Sequence, residues 1–158
     1  MQKITTFLWF NDQAEQATKL YTSLFKNSKV VNISYSGEGG LTLPGKVFMV
    51  DFVLDGQEFK ALNGGPVFKF TEAISLFVTC ETQEEVDNYW EKLSAGGEKG
   101  QCGWLKDRFG LSWQIVPTAL GDLVGDPDPE KSKRVMEAML KMSKIDINLL
   151  KQAYDGTE

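Results

Sequence analysis

The strongest constraint on the fold is a pattern of apolar residues that occurs twice along the 158-residue chain. In each copy, a short run of β-branched and aromatic residues is followed by a helical period of 3.6 residues. The helical apolar positions have the same spacing in both copies: Ala17, Leu20, Tyr21 and Leu24 in the first, and Val86, Tyr89, Trp90 and Leu93 in the second. This internal repeat predicts two structurally similar halves.

The first copy is typical of one strand, one helix and three antiparallel strands. The strand is predicted at residues 4–10, and the helix begins at Asp12, which has Glu15 three residues later in the arrangement of a capping box. The pair Asp55 and Gly56 suits a tight hairpin turn. The three later strands are predicted at 29–35, 46–54 and 58–62.

The second copy follows the same order. A strand is predicted at 73–80, and Thr82 with Glu85 forms a second capping box at the start of the next helix. Short strands follow near 98–106 and 111–117, and the Asp107–Gly110 segment between them suits a turn that ends in a left-handed residue. Each copy is therefore a βαβββ unit.

The predicted organisation is α+β, with tandem βαβββ units forming a curved mixed sheet and a helical tail. The first unit covers residues 1–66, the second 67–117 and the tail 118–158, all within one domain. Tail helices are expected to begin at Asp128 and Asp146. Their apolar stripes are too large to be left in water, so they pack either on the chain's own sheet or on a second subunit.

Composition excludes several functional classes. The formal net charge of -5 does not favour nucleic acid or anionic membranes as partners. The chain has no histidine, which excludes Ser-His-Asp triads, Cys-His pairs and every histidine-based metal site. Cys80 and Cys102 form no redox or zinc motif, and we expect two buried thiols. No apolar run is long enough for a membrane span, so we expect a reducing, cytoplasmic setting.

The amino-acid sequence of three segments resembles that of one known family. These segments are residues 10–15 with Tyr21 and Phe25, residues 62–66, and residues 102–114, where Cys102-Gly103-Trp104-Leu105-Lys106-Asp107 precedes Phe109-Gly110-Leu111-Ser112-Trp113-Gln114. They look like the PhnB-like branch, also catalogued as the 3-demethylubiquinone-9 3-methyltransferase family. That branch is part of the vicinal oxygen chelate superfamily, which includes glyoxalase I, bleomycin-resistance proteins and extradiol dioxygenases. The resemblance covers at least residues 1–117 and implies a glyoxalase/bleomycin-resistance-like fold.

The resemblance also implies where a metal would be held. The superfamily's histidine positions fall on Thr5 and Ser75, its carboxylate position falls on Gln114, and the fourth falls on Asn63. All four residues are neutral here, and two hydroxyls with two amides are poor ligands for a divalent transition metal. We therefore expect no transition metal and no cofactor. An alternative is a site for a hard cation built from carboxylates such as Asp51 and Asp107.

Strand alternation then predicts the lining of the cavity that the fold implies. In the first strand, Ile4, Thr6, Leu8 and Phe10 should pack under the helices, whereas the alternate residues face the cavity. The predicted ligand-binding residues are Thr5, Phe7, Trp9, Asn63, Ser75, Phe77, Ser112 and Gln114. This aromatic and hydrogen-bonding surface suits a small organic molecule, so binding by a homodimeric, cytoplasmic protein is the main expectation.

Two other classes of function stay open. The first is an enzyme of unknown reaction, either a metal-dependent lyase or dioxygenase or the methyltransferase of the family label. Its candidate acids, bases or nucleophiles are Asp107, Lys106 and Cys102, although the first two also suit a solvated hairpin tip. Both predicted strand-to-helix junctions lack the glycines that a methyl-donor site normally needs. The second class is a dimeric interaction module that uses the stripe from Met136 to Leu150.

Overall fold

A computed structural model describes residues 1–40 and 42–157, which form two compact units, Met1–Phe70 and a second unit that begins at Thr71. The first unit contains β1 (Thr6–Phe10), α1 (Ala14–Leu24), β2 (Lys29–Tyr35), β3 (Val47–Leu54) and β4 (Gln57–Asn63). The second contains β5 (Ser75–Cys80), α2 (Gln83–Ser94), β6 (Glu98–Lys99), β7 (Trp104–Lys106), β8 (Ser112–Pro117), α3 (Thr118–Val124), α4 (Pro129–Leu140) and α5 (Ile147–Asp155).

The predicted α+β class is confirmed, because each unit contains a four-stranded mixed sheet with helices. In the first unit the strand order is β1-β4-β3-β2, with β1 parallel to β4 and the other neighbours antiparallel. The expected Asp55–Gly56 hairpin is present, and both residues have positive φ angles of 49° and 79°. The first strand begins two residues later than predicted, at Thr6, so Ile4 precedes it and is 88% exposed.

The start of α1 corrects the predicted capping box. Gln13, and not Asp12, occupies the N-cap position, and its side chain makes no capping hydrogen bond. The free backbone N–H of Ala14 instead donates to Oδ1 of Asn63 over 2.8 Å. A side chain 49 residues away in sequence therefore satisfies this helix end, which no local motif could indicate.

The second unit has the matching strand order β5-β8-β7-β6, with β5 parallel to β8. The Thr82 cap is confirmed, since its Oγ1 accepts a hydrogen bond from the Glu85 N–H. The strand predicted near 98–106 is two short strands, β6 and β7, separated by residues 100–103. Within this loop Cys102 and Gly103 have positive φ angles of 57° and 85°, which end the extended conformation.

The C-terminal tail packs within the second unit. The predicted caps are confirmed, because Asp128 accepts from the Glu130 N–H and Asp146 from the Leu149 N–H. Helix α3 was not predicted. The apolar stripes leave Met136 and Leu149 only partly covered. Their other residues meet in a small core, which consists of Val135, Met142, Ile145 and Leu150, with Leu120, Leu123, Val124, Ala138, Met139 and Tyr154 packed against them. The stripes therefore pack mainly on one another within the tail and not on the sheet, as one of the two predicted alternatives had it.

The same tail is bonded to the loop at 100–103. The N–H groups of Cys102 and Gly103 each donate over 2.8 Å, to the carbonyl oxygens of Met142 and Ser143. The Ser143 hydroxyl in turn donates to the Gly100 carbonyl over 2.5 Å. The tail therefore holds this loop mainly through main-chain atoms. No helix in the described ranges is long and apolar enough to cross a membrane.

Candidate ligand site

The second sheet has one face covered by buried apolar residues and one open face. Directly paired residues on neighbouring strands point to the same side of a sheet. The pairs Ser75 with Ser112, Ser112 with Lys106, and Lys106 with Glu98 therefore form one row across all four strands. A second row on the same face contains Phe77, Gln114 and Trp104. Alternation places Leu105, Trp113 and Ile115 on the other, buried face.

Ser112 lies at the centre of this open face and is its most unusual residue. It is only 1% exposed, yet its Oγ has no hydrogen-bond partner in the described part of the chain. A buried hydroxyl without a partner costs about 1–3 kcal/mol. The residue lines a cavity of about 150 Å³, whose other walls are Glu72, Glu98, Lys99, Gly100, Trp104, Leu105 and Lys106. A ligand in this cavity could supply the missing partner.

Four charged side chains line the same cavity. Lys106 forms an ion pair with Glu72, which precedes β5. Their hydrogen bond raises the pKa of the Lys106 ammonium and lowers the pKa of the Glu72 carboxyl. Glu98 also contributes to the raised pKa of Lys106 through its charge. Lys99 lines the cavity as well, but its ammonium lies 3.6 Å from the carboxylate of Glu91 on α2.

Gln114 and Ser75 are brought together, as the predicted set requires. Nε2 of Gln114 donates to Oγ of Ser75 over 3.0 Å. Phe77 lies beside Gln114 and is 58% exposed. Four of the predicted residues, Ser75, Phe77, Ser112 and Gln114, thus share one face in the second unit.

Asp107 is neither a solvated hairpin tip nor a free acid. It is 2% exposed, and its Oδ1 accepts hydrogen bonds from the N–H groups of Phe109 and Leu111. Its Oδ2 accepts from Nε1 of Trp113 over 2.9 Å. These three donors give the carboxylate a role in the β7–β8 turn, and the expectation of a solvated tip is wrong for this residue. Lys106 lines the cavity and is part of the open face.

The two thiols differ from the expected pair of buried cysteines. Both are free, and Cys80 is buried whereas Cys102 is partly exposed. Burial raises the pKa of the Cys80 thiol to about 12, with a smaller contribution from the charge of Glu85. Because only the thiolate is nucleophilic, Cys80 is inert near neutral pH.

The open face of the first sheet carries the other predicted aromatic residues. Pairing aligns Phe7 with Lys60 and Trp9 with Leu62. Phe7 is 49% exposed. Trp9 is fixed more firmly, because its Nε1 donates to the Gly65 carbonyl over 2.9 Å and its ring meets Phe68 edge-on at 5.0 Å. Thr5 directly precedes β1 and is half-buried.

Asn63 lies on the opposite face of the first sheet from Phe7 and Trp9. It pairs with Phe10, one residue out of phase with Trp9, and it is 5% exposed. Besides capping α1 through Oδ1, it donates from Nδ2 to the Val47 carbonyl over 3.0 Å. Both ends of its amide are therefore bonded within the first unit, and the structure does not bring it together with the aromatic pair.

The side chains at the metal positions that the sequence resemblance implies do not fit a transition metal. Thr5, Ser75 and Gln114 have no anionic or imidazole donor, and the Asn63 amide is already bonded. Within residues 1–40 and 42–157, no group of three or more His, Cys, Asp or Glu side chains is placed to hold a metal ion. The two carboxylates of the hard-cation alternative are already bonded within the protein. Asp51 accepts from Nζ of Lys60 over 2.8 Å, and Asp107 accepts from two N–H groups of its turn and from the Trp113 indole.

Sequence reasoning missed Glu72 and Glu98 and gave Trp104 no role as a lining residue. A local pattern does mark Trp104 and Lys106, because they alternate with the buried Leu105 in β7. Glu98 joins them only through its pairing with Lys106, and a two-residue strand is too short to be found by periodicity.

Comparisons with known proteins agree with this architecture. The family model described as 3-demethylubiquinone-9 3-methyltransferase matches residues 2–116. A PhnB protein of Bacillus cereus, described as a putative 3-demethylubiquinone-9 3-methyltransferase, is 43% identical with a TM-score of 0.68, over 73% of this chain and 99% of that chain. None of the proteins with curated descriptions matches.

Two more distant structures support the fold alone. A protein of Pseudomonas aeruginosa is 18% identical with a TM-score of 0.60, over 73% of this chain and 96% of that one. The fosfomycin resistance protein FosX of Listeria monocytogenes, complexed with Mn(II) and 1S,2S-dihydroxypropylphosphonic acid, is 18% identical with a TM-score of 0.50. It covers 72% of this chain and 90% of that one.

Proposed function

The chain belongs to the PhnB-like, 3-demethylubiquinone-9 3-methyltransferase family of the glyoxalase/bleomycin-resistance superfamily, and on that premise we propose that it binds a small organic ligand. The single observation that supports this function best is the unpartnered Ser112 hydroxyl at a cavity of about 150 Å³. A cavity of that volume has room for a molecule of about the size of benzene. A ligand of this size would bond to Ser112 and lie against Trp104.

Each predicted residue of the second unit has a distinct part in this proposal. The Ser112 hydroxyl orients the ligand, because no other described residue is its hydrogen-bond partner. Gln114 and Ser75 bond to each other on the same face, next to the residues that line the cavity and not among them. Phe77 contributes exposed aromatic surface. On the first unit, Phe7 and Trp9, with Thr5 beside them, offer a separate aromatic surface of the same character.

The proposal does not include the superfamily's metal or the family label's methyl donor. The neutral donors at Thr5, Ser75 and Gln114 support binding without a transition metal. At both strand-to-helix junctions the helix N-terminus is already capped, by Asn63 for α1 and by Thr82 for α2. A nucleotide-like cofactor normally approaches such a junction through glycines, which residues 11–13 and 81–82 lack.

We also propose that the protein is a cytoplasmic homodimer. Three apolar side chains on the tail helices stay exposed even though their neighbours are buried: Met136, Leu140 and Leu149. A second copy of the chain would remove this surface from water. The two free cysteines support a reducing compartment. Native mass spectrometry of freshly purified protein would give the subunit number and the mass of any bound metal or co-purified molecule.

Binding is tested with benzyl alcohol, a neutral probe that matches the cavity in size. We expect saturable chemical-shift changes at amides of β7, β8 and the loop at 100–103, mapped by NMR. Ser112→Ala should weaken binding by about fivefold, because about 1 kcal/mol of hydrogen-bond energy is lost. Ser23→Ala, which removes an exposed hydroxyl on α1, is the matched control. If benzyl alcohol shifts none of these amides, the proposed site is wrong.

The same variant has a stability readout that separates the two roles of Ser112. If the hydroxyl has no partner in the ligand-free protein, Ser112→Ala should leave the free energy of unfolding of that form unchanged or raise it by about 1 kcal/mol. A loss of about 1 kcal/mol or more in chemical denaturation would instead indicate that the hydroxyl has a structural partner.

A further inference from the structure

The second-unit cavity is lined by two glutamates and two lysines, and the ion pairs of the described residues leave one of these four charged groups out. Of the charged groups that line it, Lys106 is paired with Glu72, and the ammonium of Lys99 lies against Glu91 on α2. The Glu98 carboxylate makes no ion pair within 4 Å in the described part of the chain. Of the four charged lining residues, Glu98, which lies beside Lys106, is therefore the one whose carboxylate stays open to a ligand.

This charge lies on the same face as the unpartnered hydroxyl. Glu98 pairs with Lys106, and Lys106 pairs with Ser112, so the three side chains follow one another across β6, β7 and β8. Trp104 is two residues before Lys106 and lies in the neighbouring row on the same face. The cavity thus combines a carboxylate, an aromatic ring and a buried hydroxyl that lacks a partner.

Carboxylates and aromatic faces both attract organic cations. An ammonium group gains a charge-assisted hydrogen bond from a carboxylate and a cation–π contact from an indole. An anion would have to displace Glu72 from Lys106 and would also be repelled by Glu98. A hydroxyl such as that of Ser112 can serve either kind of ligand, so the charge distribution decides between them.

We propose that the natural ligand of this cavity is a small organic amine, whose ammonium group pairs with Glu98 beside Trp104 while its body fills the space next to Ser112. This inference rests on the proposed ligand-binding function and specifies its chemical class.

The test compares three probes of similar size and different charge: benzylamine, benzyl alcohol and benzoate. Affinities are measured by NMR titration at pH 7 and low ionic strength, where benzylamine is a cation and benzoate an anion. We expect benzylamine to bind about tenfold more tightly than benzoate, with benzyl alcohol between them.

Glu98→Gln should reduce this preference to about threefold or less, because the amide keeps the size and polarity of the side chain without its charge. Glu84→Gln is the matched control, since Glu84 is exposed on α2, does not line the cavity and should leave the preference unchanged. Both positions are exposed, so neither variant threatens folding.

The outcomes separate this inference from the function on which it rests. Benzoate binding as tightly as benzylamine, or a preference that persists in Glu98→Gln, would overturn the amine proposal while binding of benzyl alcohol still upheld the ligand site. If none of the three probes binds, both proposals fail.

Discussion

Asn63 and Ser112 are both polar and both buried, but their hydrogen bonding is opposite. The Asn63 amide is bonded at both ends, to the Ala14 N–H and the Val47 carbonyl, so its burial stabilises the first unit. The Ser112 hydroxyl is also buried but has no partner in the described residues. A fully bonded group contributes to the fold, whereas an unbonded one is a candidate for recognition.

Replacing Asn63 with alanine should destabilise the protein by about 1–3 kcal/mol, because it leaves a helix N–H and a strand carbonyl without their partners. Chemical denaturation followed by circular dichroism measures this change. Asn32→Ala is the control, since Asn32 is exposed and bonds only to the nearby Ser34 hydroxyl. Equal stability of the two variants would contradict the capping role of Asn63.

Cys80 should make the stability depend on pH in the alkaline range. Burial raises the pKa of its thiol from 9.0 to about 12. Between these values the unfolded chain loses this proton and the folded chain keeps it, so stability falls as pH rises from about 9 towards 12. Cys80→Ala should show a shallower decrease over this window in denaturation midpoints. Parallel curves for the variant and the parent protein would exclude the effect.

At the scale of an element, the β7–β8 turn depends on one carboxylate. Asp107 accepts hydrogen bonds from two N–H groups of the turn and from the Trp113 indole. Asp107→Ala should therefore cost at least about 2 kcal/mol of unfolding free energy, since bonds to charged groups contribute about 1.5–3 kcal/mol each. Asp122→Ala, an exposed change on α3, is the control. Unaltered stability of Asp107→Ala would show that the turn forms without it.

Local patterns predicted the elements better than the side chains that complete them. Helix α2 begins where its own capping box places it, because Thr82 and Glu85 are neighbours in sequence. Helix α1 has a similar pattern, but the pairing of β4 with β1 places Asn63 next to the start of the helix, and its side chain accepts the hydrogen bond from the Ala14 N–H. Alternation correctly placed Leu8 and Phe10 in the core. It also predicted Ile4 and Thr6 there, but Thr6 at the start of β1 and Ile4 before it are exposed.

The candidate site was predictable to the same limited degree. Ser75, Phe77, Ser112 and Gln114 follow from alternation in two long strands, and they share a face. Glu98 and Glu72 depend on a two-residue strand and on a turn, for which periodicity carries no information. The charged residues of the cavity could therefore be identified only from the tertiary structure.

At the scale of the whole molecule, the tail helices connect to the site through the loop at 100–103. Gln83 on α2 helps to hold the tail, because its side chain donates to the Ile145 carbonyl and accepts from the Ile147 N–H. Gln83→Ala should release this contact and reduce hydrogen-exchange protection at the Cys102 and Gly103 amides by about fivefold or more. Gln152→Ala, exposed on α5, is the control. Unchanged protection would show that the tail is held without Gln83.

The tail has a wider consequence, because helices α3 to α5 lie beyond the family match that ends at residue 116. It holds the loop next to Trp104 mainly through the carbonyl oxygens of Met142 and Ser143, groups that every amino acid possesses, and the Ser143 hydroxyl adds one bond to Gly100. Such an attachment tolerates sequence drift. We therefore expect that relatives can differ in this tail or lack it. Such a difference would change the shape of one cavity wall without changing any side chain of the sheet.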